Sequence, residues 1–228
     1  MKRLLFLFIA MAALTSCRFN LFRGDGPNGV REITSQPFDR VEVLGACDVK
    51  FTQGDTVAIK IEGPAEAIKE VKTEFSGSAL VIKIKDESDF INIFNHSAPV
   101  IYLTSPDLIG IKIKGVGSFD VPRHLDTDTL NIELKGIGKV NLNDVICDEL
   151  HTRLDGTGAI NISNLTSQHS SFILKGMGDV SINFLQGGDV SCALKGVGNI
   201  SLSGKVKSLR KSIQGTGNIN VEELKISE

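Results

Sequence analysis

Tryptophan is absent from this 228-residue chain and tyrosine occurs once. The stacked aromatic platforms common in sugar sites and single-strand nucleic-acid sites are therefore mostly missing. An excess of either charge is lacking too. Lys and Arg number 25 against 27 Asp and Glu, a net charge of −2, with both signs mixed along the chain. Nothing here resembles the basic footprint of a nucleic-acid binder, so no nucleic acid is expected as a partner. Cysteines are few, at four. Three remain after Cys17, namely Cys47, Cys147 and Cys192, and an odd number cannot fully pair within one chain. They are expected as small buried apolar residues. The apolar run from Leu4 to Leu14 is too short to span a bilayer as a mature helix.

That run does fit a targeting segment. Lys2 and Arg3 form a basic n-region ahead of it, and Leu14-Thr15-Ser16-Cys17 follows, resembling a bacterial lipobox. Residues 1–16 are expected as a lipoprotein signal peptide, with Cys17 lipidated and the protein exported, anchored by lipid alone to the envelope, with the outer membrane as the expected site. Ordinary secretion with an incidental cysteine is the alternative. Residues 17–37, with "RFNLFRGDGPNG" at 18–29, read as a tether.

Glycine is what the chain has in quantity, 23 residues, and most are placed regularly. A Gly-x-Gly doublet begins at Gly115, Gly136, Gly156, Gly176, Gly196 and Gly215, in steps of 21, 20, 20, 20 and 19. A fixed period near 20 marks a solenoid with one coil per repeat. Two residues after each doublet stand Phe119, Val140, Ile160, Val180, Ile200 and Ile219. Two further on come Val121, Leu142, Ile162, Ile182, Leu202 and Val221. Polar residues from Asp120 to Asn220 fall between these columns. Alternation of this kind is the signature of strands with one buried face. A further apolar residue, such as Leu165 or Leu185, is expected near each coil's far corner. The fold class expected is all-β: a single-stranded, right-handed parallel β-helix with an irregular N-terminal capping region. Its domain spans 38–228, with capping coils over 38–107 and regular coils over 108–228. By strand parity the glycines face inward, where a Cβ would crowd the interior. A phosphate cradle would need a helix after the doublet, and each copy runs into a strand instead.

The N-terminal part repeats the plan loosely. "VEVLGACDVKF" at 41–51 aligns with the repeat, Cys47 replacing the second glycine, and this first coil is expected to close one end. Strands are expected at Val57–Ile61, Leu80–Ile84 and Val100–Leu103, with a short helix opened by Pro64. Residues 86–98 form the longest irregular segment. The charged "EELKISE" is expected to blunt the last coil's edge.

The entry "FDRVEVLGACDVKFTQGD" (38–55) and the copies "GTGAINI" (156–162), "GVGNISL" (196–202) and "GTGNINV" (215–221) resemble the family of putative auto-transporter adhesin head GIN domains. The resemblance covers residues 38–225. It implies a right-handed β-helix on a secreted or surface protein, often from Bacteroidetes, with an adhesion-like role and no recognised catalytic set.

In a solenoid one residue per coil becomes a stripe, so candidate sites are columns. Lys114, Lys135, Lys175 and Lys195, interrupted by Asp155, precede the doublets and face outward by parity, a candidate stripe for an acidic glycan. Lys112, Glu133 and Arg153 form an adjacent column of alternating sign. Val116, Ile137, Met177 and Val197 occupy the doublet centres, a candidate interface stripe for another envelope protein or a homo-oligomer, unless the bend buries them. The Asn, Asp and Ser column is expected to form hydrogen-bond ladders. Asp55-Thr56-Val57 and Asp128-Thr129-Leu130 resemble a Bacteroides-type O-glycosylation acceptor at turns, making Thr56 and Thr129 candidates. No catalytic residue, metal site or cofactor is expected. The function expected is a non-catalytic binding or adhesion module. Its alternatives are a polysaccharide lyase or hydrolase with a pocket near 86–98, and a structural or signalling partner of another envelope protein.

Overall fold

The computed structural model describes residues 28–84 and 98–227. Its regular part consists of five long bent strands, each one coil: β9 (Val116–Leu134), β10 (Ile137–Leu154), β11 (Thr157–Leu174), β12 (Met177–Leu194) and β13 (Val197–Ile213). They stack parallel in chain order, Gly138 on Gly117 and Gly158 on Gly138, in a β-solenoid of about six turns. The columns after the doublets are inward. Phe119, Val140, Ile160, Val180 and Ile200 are all buried, as are Val121, Leu142, Ile162, Ile182 and Leu202. Each such side chain contributes about 1.5–3 kcal/mol on leaving water, which is what holds the coils on one axis.

The glycines serve a different purpose from the one parity suggested. They are half-exposed or exposed. A Cβ on Gly136, Gly156, Gly176 or Gly196 would sit 1.8–2.0 Å from the carbonyl oxygen of the glycine one coil below. That oxygen accepts the N–H of the next residue above, as in Thr157 to Gly136 and Met177 to Gly156, both 2.9 Å. The clash therefore runs along the stack, not into the interior. The second glycine also sits at positive φ in most coils, +141° at Gly178 and +147° at Gly158, a region side-chain-bearing residues rarely adopt.

The far corner corrects a second expectation. Leu165 is buried, but its partner one coil up is Phe184, which meets Phe172 edge-to-face with centroids 6.1 Å apart. A register shift there turns Leu185 out to solvent, 55% exposed. The two coils are equally long, and the register slips by one residue at Leu165 and Phe184 and recovers at Thr166 and Gln186, as paired bulges do.

The N-terminal half is folded out of order. Strands β2 (Arg40–Leu44) and β3 (Asp48–Gln53) make a coil around Gly45-Ala46-Cys47. Strands β6 (Ala79–Ile84) and β7 (Val100–Ser105) stack on its lower side. The coil begun by β8 (Gly110–Ile113) and continued by β9 stacks on its upper side. The first coil in sequence is thus an internal layer, not the end. The end is covered by antiparallel strands. These are β4 (Ala58–Pro64) on β7, β5 (Val71–Ser76) on β6, and β1 (Asn28–Ile33) on β4. Helix α1 (Ala65–Glu70) follows β4, with Pro64 at its N-cap and Ile68 buried beneath. Residues 28–33, expected within the tether, therefore belong to the folded domain.

At the other end β14 (Thr216–Asn220) covers Val197–Ser201 and β15 (Leu224–Ile226) covers Gly204–Val206. The charged tail thus pairs with one short stretch of β13, and among the described residues nothing pairs with that edge from 207 to 213.

Candidate binding surface

Parity carries through the glycine corner, so the doublet centres point outward. Val116 (37% exposed), Ile137 (59%), Met177 (57%) and Val197 (48%) line up with the exposed Thr157 and Thr216 in one apolar ridge. The bend does not bury it. Coils repeat about every 4.8 Å, so the ridge runs the length of the regular solenoid.

The lysine column flanks this ridge and is exposed. It is not uniformly cationic. Lys114 Nζ lies 2.6 Å from Glu42 Oε1, and Lys135 Nζ lies 2.8 Å from Glu133 Oε1, which also receives Lys112 at 3.3 Å on its other oxygen. Burial alone would raise the Glu133 carboxyl, but its bonds from Lys135 and Lys112 outweigh that and hold it below the usual range. Arg153 Nε donates to Asp155 at 2.6 Å. Lys175 and Lys195 make no ion pair among the described residues. Within this column, and among the described residues, unpaired positive charge is thus confined to Lys175 and Lys195, beside Met177 and Val197. Aligning 41–51 with the repeat puts Glu42 in the column of Lys112 and Glu133, but its nearness to Lys114 was hidden, because its coil is inserted out of order.

On the ridge's other side the flank is polar. Asp48 accepts from the Ser118 N–H and hydroxyl at 2.8 and 2.9 Å, and Asp179 accepts from Asn199 at 3.1 Å. Further along, the expected ladder is present. Asn161 donates to Asn141 at 2.9 Å, and Asn141 donates to Asp120 at 2.7 Å. Satisfying amides this way rigidifies the wall that carries the ridge.

Two open hollows exist elsewhere. One of about 420 Å³ is lined by Gln53, Gly54, Asp55, Pro106, Arg123 and His124. Gln53 closes its floor by bonding Pro106 O at 2.9 Å and both backbone groups of Asp126. His124 Nδ1 lies 2.8 Å from Asp144. A second, of about 320 Å³, runs over Glu133, His151 and Arg153. His151 and His169 keep separate carboxylate partners, Glu149 at 3.4 Å and Asp189 at 3.7 Å. No cluster of metal-ligating side chains occurs among the described residues. The three thiols are buried and unpaired. Thr56 is exposed in the bend between β3 and β4, whereas Thr129 lies half-buried within β9 beside Glu149, not at a turn. Cys17, residues 1–16 and the 86–98 segment apart from Ala98 lie outside the described residues. No described helix is long and apolar enough to cross a membrane.

Parallel stacking, glycine corners and a non-polar outer ridge together define the class of fold, a β-solenoid. The chain belongs to the family described as putative auto-transporter adhesin, head GIN domain, whose model matches residues 37–173 and 158–228. Among solved structures it is similar to a putative adhesin from Bacteroides fragilis NCTC 9343, at TM-score 0.71 and 23% identity over 85% of this chain and 96% of that one. It is also similar to a putative adhesin from Parabacteroides distasonis ATCC 8503, at TM-score 0.53 and 14% identity over 86% and 98%. A putative lipid binding protein from the same organism scores 0.55 at 22% identity, over 86% and 97%. These likenesses establish the fold. No curated protein matches the chain. The family description points to a binding role at the cell surface or envelope.

Proposed function

We propose that this chain is a non-catalytic adhesion module, held at the envelope by lipid on Cys17, whose contact surface is the glycine-corner ridge. One observation carries the reading: Val116, Ile137, Met177 and Val197 are large apolar side chains, exposed and in register on one edge. A continuous apolar strip rimmed by polar residues marks an interface. Its occupant is another surface macromolecule, with the unpaired Lys175 and Lys195 favouring an anionic one, such as an envelope protein or acidic glycan. The larger hollow argues for no hydrolase, since its lining holds a single carboxylate, Asp55, where glycoside hydrolysis ordinarily takes two.

The test is binding of the full chain, with Cys17→Ser, to glycan arrays and to envelope extracts by crosslinking. Ile137→Ser, Met177→Ser and Val197→Ser combined should abolish capture while leaving the melting temperature nearly unchanged. Lys175→Gln with Lys195→Gln should weaken it and reduce its salt dependence. Capture that survives the triple substitution would place the contact elsewhere.

A further inference from the structure

The two ends of the solenoid are finished differently. At the N-terminal end, antiparallel strands cover both walls. At the C-terminal end, β14 stops at Asn220, over Ser201, and β15 covers only Gly204–Val206. From residue 207 to 213, β13 pairs with β12 on one side and, among the described residues, with nothing on the other. Seven residues of open backbone ladder is the length of an ordinary strand.

This edge has a distinct chemistry. Between Asp189 and Glu222 there is no acidic residue, and the interval holds Lys195, Lys205, Lys207, Arg210 and Lys211. Leu209 sits over Val190, Arg210 over Ser191, Lys211 over Cys192, and Ile213 over Leu194. Val190, Cys192 and Leu194 are buried, so Leu209, Lys211 and Ile213 occupy inward columns and Arg210 and Ser212 outward ones. Ile213 is 50% exposed there, although the residue beneath it is fully buried. A lysine at the top of an apolar column resists stacking of another apolar coil. Two copies meeting edge to edge would also set Lys207, Arg210 and Lys211 against the same residues, which disfavours self-pairing.

From this edge we infer that residues 207–213 of β13 accept an added strand from a partner protein, an extended acidic segment. Register states its pattern. A strand continuing the parallel stack would place an apolar residue over Leu209, acidic residues over Arg210 and Lys211, a small residue over Ser212 and an apolar residue over Ile213. Main-chain bonds along the edge supply affinity, and the two acidic positions supply selectivity. The site is separate from the ridge and does not depend on it.

The probe is a fluorescein-labelled nine-residue peptide with the core Val-Asp-Glu-Ser-Ile, added to the full chain carrying Cys17→Ser. It should bind, and amides of residues 208–213 should gain protection from hydrogen exchange. Arg210→Glu with Lys211→Glu should weaken binding by at least about tenfold, and a peptide with Arg-Lys at the two acidic positions should restore it. Both side chains are exposed, so these variants should fold, as circular dichroism will check. Ridge substitutions should leave peptide binding unchanged, which separates failure here from failure of the adhesion reading. Equal binding of a scrambled peptide, no binding up to about 1 mM, or retention only of a sulfated glycan would overturn the inference. Self-association abolished by Lys211→Glu would also overturn it, replacing the partner with a second copy.

Discussion

Residues 110–213 and residues 38–105 belong to one sheet, yet only the first group carries a glycine doublet at every complete corner. In the regular half each doublet lies directly on the one below, and the carbonyl contact leaves no room for a Cβ. In the N-terminal half Cys47 occupies the second glycine's position and is tolerated. Pro99, not a glycine corner, supplies the carbonyl beneath, accepting from Asp48 N–H at 3.1 Å. The same contrast appears along the polar column. Its upper part is the amide ladder of Asn161, Asn141 and Asp120. Its lower part continues as Lys50 and Lys60 on either side of Tyr102, 5.7 and 5.6 Å from the ring centroid. Identical neighbours select identical residues, and where the neighbour changes the requirement lapses.

Substitutions can break this contrast, and the largest effect belongs to the glycines. Gly178→Ala forces a Cβ to 1.8 Å from Gly158 O at φ +141° and should cost on the order of 4 kcal/mol by thermal unfolding. Gly77→Ala in the β5–β6 turn, at φ +63° with nothing within 4 Å, should cost about 1 kcal/mol. Equal costs would show that stacking, as opposed to backbone angle, is not what demands glycine.

Packing comes next. Phe172→Ala removes a fully buried ring from the edge-to-face pair with Phe184 and should cost about 3–4 kcal/mol in denaturant titration. The ladder follows. Asn141→Ala leaves both Asp120 and Asn161 short of a partner and should cost about 1–2 kcal/mol. Tyr102→Leu, which loses two cation contacts and a hydroxyl bond to the Glu62 carboxylate, should shift the melting temperature less. A reversed order would make the lower column the stronger one.

A smaller effect concerns acid. The carboxyl of Glu133 is held low by its lysine partners, so its contribution is present above the ordinary glutamate value of about 4.3 and fades as pH falls through its folded value. Glu133→Gln should lower stability modestly at neutral pH, where the lysine pairs are intact, and flatten the profile over that interval, the two proteins converging in acid. The least intrusive comparison uses thiols. Burial pushes Cys47 and Cys147 up to about 12 and Cys192 to about 11, the last opposed by nearby Lys211. None should react with iodoacetamide at about pH 8 in the native state. In mild denaturant Cys192, one coil from the open edge, should label first and Cys47, an internal layer, later. Simultaneous labelling would mean the solenoid unfolds as one unit.

Much of this was legible from residues alone. The 20-residue period, the inward columns and the Asn ladder follow from local alternation, because each regular coil packs on its sequence neighbour; the alignment of 41–51 with the repeat was legible as a pattern, although that coil packs on residues 110–120. The ridge residues were identifiable too, but their exposure was not, since it depended on parity surviving a glycine bend. Leu185 shows the same limit, where a local slip of register between two coils of equal length exchanged it with Phe184.

The sequence by itself determined the regular coils, because a repeat whose contacts are all to the next copy writes its three-dimensional period directly into the chain. Only the tertiary structure decided what is not nearest-neighbour. It set the coil 40–53 between layers formed later in the chain, brought Glu42 to Lys114 across 72 positions, and left 207–213 paired on one side alone among the described residues. Those outcomes depend on which strand wins a given edge, a competition among distant segments that no local pattern encodes.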